Sequence, residues 1–270
     1  MSYNLLKGKK GIVFGALDDR SIAWKVAERC VEEGAEIVLT NAPVALRMGK
    51  ISELAEKLNA DVIPADVTQM EDIENLVSAS KEKFGGIDFV LHSVGMSPNV
   101  RKGRSYTDLN YDFFHKTLDI SAMSLHRVLQ TCHKLDALNE WASVVALTYI
   151  AAQRTYTGYG DMAEAKAMLE SIARSFGHHY GVAKKVRVNT VSQSPTVTTA
   201  GSGVGGFDDF INNADNISPL GNATADECAD YCVTLFSDLT KKVTMQNLFH
   251  DGGFSTTGVS DSVVNKFGSE

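Results

Sequence analysis

The stretch that decides the fold is residues 10–34, which read KGIVFGALDDRSIAWKVAERCVEEG. It begins with a short apolar run, residues 11–14, of the kind that forms a buried strand. From Ser21 onward, apolar residues recur at the spacing of a helix, and Gly34 can end that helix. The stretch therefore predicts a strand, a short loop and a helix, in that order.

The same alternation of strands and helices continues along the chain. Strands are predicted at residues 36–40, 61–65, 89–93, 142–148, 186–191 and 246–251, and helices at 47–58, 70–84, 111–135, 158–180 and 224–236. Such an alternation forms a parallel sheet with helices on both faces, joined by right-handed crossovers. We therefore predict an α/β fold built on one doubly wound, Rossmann-type sheet.

No composition break or linker divides the chain, so residues 1–270 are predicted to form a single domain. The longest segment without clear periodicity is 194–219. Long irregular loops inside a compact domain are often lids or binding loops. We expect this segment to be a substrate-binding lid, made mobile by Gly203, Gly205 and Gly206.

The bulk composition narrows the possible functions. The formal net charge of the 270 residues is −7, which argues against nucleic acid as the main partner. The amino-terminal residues lack the apolar run of a signal peptide, and no stretch approaches a membrane span. The four cysteines form no Cys-x-x-Cys pair and have no histidine at metal spacing, so no disulfide framework and no metal site are expected. These features predict a reduced, soluble, cytoplasmic protein.

Tyr159 and Lys166 are the most informative pair for function. Six residues separate them, so on a predicted helix they lie nearly two turns apart on one face. A lysine there can hold a phenol and a cofactor hydroxyl in one network. Its charge is expected to lower the pKa of the tyrosine toward the range of an acid catalyst. Taken alone, this spacing is more often found in an exposed helix with a surface lysine.

The loop from Gly15 to Ile22 joins the first strand to the first helix. In a doubly wound sheet, this is where a dinucleotide pyrophosphate meets a helix N-terminus. Gly15 is predicted to let the backbone approach the cofactor, and Ser21 either to cap the helix or to donate to a phosphate. The Gly-x-Gly-x-x-Gly fingerprint is absent, so a plain helix N-cap after a turn is the alternative.

Two further strand ends are candidates for cofactor contact. Asp66 and Val67 follow the third strand and are predicted to contact the adenine edge, with a helix-capping role for Asp66 as the alternative. Ser93, Val94 and Gly95 follow the fourth strand and let the chain pass close to the cofactor, unless they form only a strand-end turn.

The end of the second strand bears on the choice between NADH and NADPH. Residues 40–42 read Thr-Asn-Ala, with no acidic residue to take the ribose hydroxyls. They also include no arginine for a 2′-phosphate, and the nearest one is Arg47. The absence of a local basic cluster favours NADH over NADPH.

Taken together, these segments resemble the short-chain dehydrogenase/reductase superfamily, and more narrowly the enoyl-acyl carrier protein reductases of bacterial type II fatty acid synthesis. The resemblance covers nearly the whole chain, and the combination of motifs is specific although no single motif is. It is carried by Gly15 to Ala23 in the form Gly-x5-Ser-Ile-Ala, Ser93-Val94-Gly95, Leu147-Thr148-Tyr149, Tyr159-x-x-Met162-x-x-Ala165-Lys166, Arg187-Val188-Asn189 and Asp251-Gly252-Gly253-Phe254.

The resemblance implies a mechanism. NADH would deliver a hydride to the β-carbon of a trans-2-enoyl thioester, and Tyr159 would donate a hydrogen bond to the thioester oxygen as negative charge develops there. Lys166 would hold the hydroxyls of the nicotinamide ribose. Tyr149 stands where the general superfamily has a serine, and it would line the pocket or help relay a proton. The alternative for Tyr149 is an aromatic side chain that only packs on the sheet.

The resemblance also implies further binding residues. Those expected to contact the nicotinamide amide or the pyrophosphate are Pro195, Thr196 and Thr198. Those expected to line the acyl pocket, together with the two tyrosines, are Met96, Met162 and Ala200. Ordinary packing is the alternative for this second set.

One departure from the family pattern concerns the acyl carrier protein. In the best-known relatives, basic residues lie on the helix that follows the loop corresponding to residues 195–198, and they contact the acidic carrier. Residues 203–210 of this chain instead read GVGGFDDF. Like charges weaken the steering of an acidic partner. Either the carrier docks elsewhere, through Arg101, Lys102 and Arg104, or the true substrate is not carried on an acidic protein.

The resemblance finally implies a homotetramer, with the helices at 111–135 and 158–180 packed across its interfaces. Two rival functions stay open. The first is a carbonyl reductase or alcohol dehydrogenase of the same fold, against which Tyr149 and the missing Asn-Asn-Ala-Gly motif argue. The second is a non-catalytic nucleotide-binding protein, against which the intact Tyr159 and Lys166 argue.

Overall fold

The computed structural model describes residues 2–198 and 207–268. The strands of this part of the chain are β1 (Lys10–Phe14), β2 (Glu36–Thr40), β3 (Asp61–Val62), β4 (Ile87–His92), β5 (Leu138–Thr148), β6 (Arg187–Gln193) and β7 (Asn247–His250). They form one parallel sheet in the order β3-β2-β1-β4-β5-β6-β7. The strand order reverses between β1 and β4. This arrangement confirms the predicted Rossmann-type sheet.

The helices pack on both faces of this sheet. They are α1 (Ile22–Glu32), α2 (Pro43–Met48), α3 (Ile51–Leu58), α4 (Met70–Phe84), α5 (Pro98–Arg101), α6 (Tyr111–Leu118), α7 (Ser124–Lys134), α8 (Met162–Lys184), α9 (Phe207–Ile217), α10 (Ala225–Phe236) and α11 (Asp261–Phe267). One apolar cluster joins the sheet to α4, α7 and α8. A second cluster joins the opposite face to α1, α3 and α10.

Successive side chains of the central strands enter opposite clusters, as the pleat of a strand requires. In β4, Val90 packs with α4, α7 and α8, whereas Phe89 and Leu91 pack on the other face. The ring of Phe89 stacks on that of Phe236 in α10, with 4.6 Å between centroids. Because both faces are covered, the central strands are continuous apolar runs, and this made them predictable from the sequence.

A buried guanidinium joins β6 to the end of α10. Arg187 donates to the carbonyl oxygens of Leu235 at 2.8 Å and Ser237 at 3.2 Å, and to Thr240 Oγ1 at 2.7 Å. The last carbonyls of a helix lack partners within the helix, and a cation there is favourable. Arg187, one of the residues that carry the family resemblance, is therefore explained by the fold.

The four cysteines are buried and free, as small apolar residues would be. Cys30 of α1 lies in one cluster with Cys228 and Cys232 of α10, and burial raises the pKa of the Cys30 thiol. Within the described residues, no helix combines the length and the apolar character needed to cross a membrane. In the same part of the chain, no group of three or more His, Cys, Asp or Glu side chains is placed to hold a metal ion.

The helix predicted at 158–180 begins later than expected, at Met162, and runs to Lys184. Gly158 and Gly160 have φ angles of +82° and +45°, in the left-handed region that interrupts a helix. The prediction that Tyr159 and Lys166 share a helix is therefore wrong. Tyr159 lies in the turn that precedes α8, and Lys166 lies in the second turn of the helix.

The helix predicted at 111–135 is not continuous. A π-helical turn, residues 119–123, separates α6 from α7. Inside it, Ser121 Oγ accepts a hydrogen bond from the Met96 amide at 2.9 Å and donates to the Met96 carbonyl at 3.2 Å. The wider turn thus contacts the loop after β4, and turns of this kind often lie at functional sites.

Other predicted segments also differ from the structure. The helix expected at 47–58 is two helices, because Gly49 is extended and the next amide, Lys50 N, bonds to the Leu17 carbonyl at 2.7 Å. The strand expected at 61–65 ends at Val62, although the Ile63 and Ala65 amides still donate to the carbonyls of Leu39 and Asn41 beside it. The segment 194–219, expected to be irregular, contains α9.

Candidate active site

A cavity of about 270 Å³ lies at the carboxyl ends of β4, β5 and β6. In open parallel sheets, ligands bind at this edge, beside the point where the strand order reverses. The walls include the predicted catalytic and substrate residues Met96, Tyr149, Tyr159, Met162 and Lys166. They also include the predicted cofactor residues Ile22, Ser93, Val94, Gly95, Pro195, Thr196 and Thr198.

Gly15 borders this cavity without lining it. Its φ is +97°, and a Cβ atom there would lie 2.0 Å from the carbonyl oxygen of Ser93. Its amide donates to the Thr40 carbonyl at 3.1 Å. Any side chain at this position would push apart the ends of β1 and β4, so the glycine is required by the approach of two strand ends.

Ser21 stabilises the loop after β1 from within. Its Oγ donates to the Asp18 carbonyl at 2.6 Å and accepts from the Leu17 amide at 3.2 Å. It occupies the N-cap position of α1 but makes no side-chain cap bond. The hydroxyl therefore orders the loop, and its predicted contact with a cofactor phosphate stays a prediction.

Asp66 and Val67 lie outside the cavity, after β3. Asp66 Oδ1 accepts from the amide of Thr68 at 2.9 Å and from its hydroxyl at 2.7 Å, which is the geometry of a turn before a helix. Val67 is buried in the apolar cluster under α4. Their contact with an adenine edge stays a prediction, and Ala200 lies outside the described residues.

Lys166 is buried at the base of the cavity. Its Nζ donates to the Leu147 carbonyl at 2.8 Å, which leaves two of the three ammonium N–H groups for a ligand. Burial lowers the pKa of Lys166 to about 8, and the nearby charge of Glu170 opposes this shift. The ammonium group is thus a cation near neutral pH that loses its charge as the pH rises through about 8.

Tyr159 projects into the cavity from the turn before α8. Its amide donates to the Tyr156 carbonyl at 3.3 Å, and its carbonyl accepts from the Met162 amide at 3.2 Å. Burial raises the pKa of Tyr159, so the expectation that Lys166 lowers it is wrong. The phenol therefore stays protonated across the physiological range, and its hydroxyl can donate a hydrogen bond to a ligand.

Tyr149 follows the last residue of β5 and lies against Tyr159. The two ring centroids are 5.1 Å apart, and the ring of Tyr156 is 5.4 Å from that of Tyr149. Burial, and then the neighbouring phenols of Tyr156 and Tyr159, raise the pKa of Tyr149. The site therefore presents two neutral phenols beside one buried ammonium group, with no acidic side chain in the cavity wall among the described residues.

Comparison with known proteins gives the family. A family model described as enoyl-(acyl carrier protein) reductase matches residues 15–255. The chain belongs to this family. It is 34% identical over 257 residues to enoyl-(acyl-carrier-protein) reductase (NADH) 1 of Rhizobium meliloti (strain 1021), a match that covers 94% of this chain and 93% of the relative.

Two solved structures are more similar to this chain than that relative is. The crystal structure of a FabI–NADH complex from Alistipes finegoldii has 68% sequence identity and a TM-score of 0.94, covering 96% of this chain and 92% of that one. A crystal structure of FabI from the same organism has 64% identity and a TM-score of 0.93, covering 99% and 97%.

Sequence reasoning missed a buried carboxylate in the reductase, Glu170. It lies one helical turn beyond Lys166 and accepts from Thr148 Oγ1 at 2.9 Å, Gln153 Nε2 at 3.1 Å and Asn247 Nδ2 at 3.2 Å. Thr148 lines the cavity. The signal was the spacing of four residues on one helix, which places Glu170 on the same face as Lys166.

A second missed carboxylate, Asp161, is fully buried beneath the cavity. It accepts from Ser97 Oγ at 2.5 Å, Asn99 Nδ2 at 2.7 Å and Thr117 Oγ1 at 2.8 Å. These bonds tie the loop after β4 and helix α6 to the residue that precedes α8. The wall around Tyr159 is therefore held from three elements, which no local sequence pattern indicates.

The wall formed by the loop after β6 is held by residues about 30 positions further on. Asn222 Nδ2 donates to the Pro195 carbonyl at 2.7 Å, and the Ala223 amide donates to Ser194 Oγ at 3.1 Å. Other cavity residues that the sequence did not single out for the site are Ser97, Val100, Arg101, Leu147, Gln193 and Phe210. Of these, Leu147 stands in a motif that carries the family resemblance, Phe210 in the stretch 203–210, and Arg101 in the expected docking surface.

Proposed function

We propose that this chain is an NADH-dependent enoyl-acyl carrier protein reductase that reduces the 2,3 double bond of a trans-2-enoyl thioester in fatty acid elongation. The observation that carries the proposal is the meeting of Tyr149, Tyr159 and Lys166 in one cavity at the carboxyl edge of the sheet. The membership of the chain in the enoyl-acyl carrier protein reductase family supports the same reaction.

The residues around the cavity fit a dinucleotide. Gly15 has no side chain where the ends of β1 and β4 approach each other. A Cβ atom on Gly95 would lie 3.6 Å from Lys166 Nζ, so this glycine leaves the space beside the ammonium group open. NADH, when bound, supplies the hydride. Two N–H groups of the Lys166 ammonium can donate to the ribose hydroxyls of NADH. We assign Pro195, Thr196 and Thr198 to the nicotinamide amide and the pyrophosphate of NADH.

Tyr159 is assigned to the thioester oxygen of the substrate. Reduction at the β-carbon moves negative charge onto that oxygen, and a donor already in place stabilises the charge as it develops. A raised pKa keeps the phenol protonated, so it donates a hydrogen bond throughout the reaction. Because the same burial makes the phenolate unfavourable, Tyr159 keeps its proton, and the α-carbon of the product takes its proton from solvent.

The remaining assignments concern the residues that position the substrate. Met96 and Met162 line the cavity beside Tyr159 and are assigned to the acyl chain. Tyr149 lies against the Tyr159 ring and is assigned to the thioester side of the pocket or to a proton relay. We also assign Ala200 to the acyl pocket. Segment 194–219 is retained as a lid, with α9 as its helical part.

The assembly and the location of the protein are also proposals. We infer a cytoplasmic homotetramer that buries α8 and the helices from 111 to 134 at its interfaces. The exposed side chains of Tyr111 and Val182 on these elements support this inference. Size-exclusion chromatography with light scattering should give four times the chain mass of 29.2 kDa, and a monomer mass would overturn it.

The function is tested by following NADH oxidation at 340 nm with crotonyl-coenzyme A and with crotonyl-acyl carrier protein, each repeated with NADPH. We expect turnover of both thioesters with NADH, and slower turnover with NADPH. Binding of NADH without turnover of either thioester would contradict enoyl reduction. It would favour a carbonyl substrate or a non-catalytic role.

A further inference from the structure

Two cations line the cavity, and they differ in their surroundings. Lys166 is 8% exposed and bonds to a backbone carbonyl at the base. Arg101, at the end of α5, is exposed to solvent. Among the described residues, no ion pair or side-chain hydrogen bond engages the guanidinium of Arg101. The cavity thus runs from a buried ammonium group to an exposed guanidinium.

The basic residues next to Arg101 are engaged in other contacts. The ammonium of Lys102 lies over the Phe113 ring, 4.6 Å from its centroid. Arg104 donates to the Asp108 carbonyl at 3.2 Å and contacts its carboxylate at 3.3 Å. Neither side chain lines the cavity in the described part of the structure. Of the three basic residues on this loop, Arg101 is the one available to a ligand in the cavity.

The backbone that presents Arg101 is held in place. Its amide donates to the Ser97 carbonyl at 3.1 Å, and Ser97 Oγ accepts from the Val100 amide at 3.0 Å. The side chains of Ser97 and Asn99 both donate to the buried Asp161. Asp161 follows Tyr159 by two residues. The α5 turn and the Tyr159 turn are therefore joined through one carboxylate.

Helix α9, which also contributes to the cavity wall through Phe210, has the opposite charge. Its sequence contains Asp209 and Asp215 and no lysine or arginine. The whole chain has a formal net charge of −7. Among the described residues that line the cavity, Arg101 is the exposed cation, and its charge attracts an anionic part of the substrate.

We propose that Arg101 binds the phosphate of the phosphopantetheine arm that carries the enoyl thioester. This inference rests on the proposed function. An acyl group on a carrier protein or on coenzyme A is a thioester of this arm, and its phosphate lies at the end remote from the sulfur. With the thioester at Tyr159, the arm leaves through the opening of the cavity. A guanidinium suits a phosphate there because its planar donors match two phosphate oxygens.

The test uses Arg101→Gln in the full chain, with two small substrates, crotonyl-pantetheine and crotonyl-4′-phosphopantetheine, that differ only in the phosphate. For the wild type we expect kcat/KM to be roughly fivefold higher with the phosphate, through KM, as for one partly exposed charge pair. In Arg101→Gln this ratio should fall to about one. Arg101→Lys should keep part of it, and raising the salt concentration should reduce it in the wild type.

Lys102→Gln and Arg104→Gln are the matched controls, because each removes one positive charge from the same loop. Both should keep the wild-type ratio. An unchanged ratio in Arg101→Gln, or an equal fall in either control, would overturn the assignment. If Arg101→Gln lowers kcat/KM only with crotonyl-acyl carrier protein, Arg101 contacts the surface of the carrier and not the phosphate. That result would also overturn the assignment. Failure of the wild type to reduce the small thioesters while it still turns over crotonyl-acyl carrier protein would also overturn the assignment, whereas failure with all of these thioesters would contradict the proposed function.

Discussion

At the residue scale, the two phenols of the site are expected to contribute unequally. Tyr159→Phe removes the donor assigned to the thioester oxygen, and the loss of one such donor costs about 100-fold or more in kcat. Tyr149→Phe removes a phenol that is not assigned to a direct bond with the thioester oxygen. The loss of kcat in this variant should therefore be at least about tenfold smaller than in Tyr159→Phe.

Both variants are measured by steady-state NADH oxidation and by NADH fluorescence. The affinity for NADH should stay within about twofold of wild type in each, because neither phenol is assigned to the cofactor. Since both changes remove one buried hydroxyl, each is the control for the other. Unchanged turnover in Tyr159→Phe, or a larger loss in Tyr149→Phe, would reverse the assignment.

At the scale of elements, α8 and the end of β5 together set the charge of Lys166. The pKa of Lys166 is about 8, so its charge is present below that pH and is lost above it. NADH binding should therefore be constant at lower pH and weaken as the pH rises through about 8. The neighbouring His92 is fully buried, and burial followed by the charge of Lys166 lowers its pKa to about 3, so it does not titrate in this range.

Glu170, one turn further along α8, offers a test of whether the charge of Lys166 controls the pH dependence of NADH binding. Its charge raises the pKa of Lys166, so Glu170→Gln should move the pH at which NADH binding weakens to a lower value. Lys166→Arg should move it upward, because an arginine keeps its charge. Dissociation constants for NADH measured from neutral to alkaline pH check both. The same midpoint in Glu170→Gln and wild type would show that Glu170 acts only through its hydrogen bonds.

At the scale of the whole molecule, cofactor binding should stabilise the fold. A ligand that binds only the folded chain adds about 2.7 kcal/mol at 100 times its Kd, which for a domain of this size raises Tm by roughly 5–10 °C. NADPH at the same concentration should raise Tm less, since residues 40–42 offer no basic side chain to its extra phosphate. Thermal unfolding with each nucleotide checks this. Equal shifts would contradict the preference for NADH.

The sequence by itself determined the sheet and the chemistry of its carboxyl edge. The central strands are apolar on both faces, so they were recognisable without knowledge of their partners. Gly15, Ser93 and Gly95 follow strands whose ends meet at one edge in any parallel sheet, so their proximity followed from the alternation of strands and helices. Tyr149, Tyr159 and Lys166 stand in motifs whose combination is specific enough to indicate the family.

Only the tertiary structure decided how these groups are held and charged. The left-handed Gly158 and Gly160 move Tyr159 out of α8, and burial in the cavity then raises its pKa instead of lowering it. Asp161 and Glu170 receive their hydrogen bonds from residues 17 to 77 positions away. Desolvation and long-range hydrogen bonds depend on which segments meet in space, and a local pattern of residues does not contain that information.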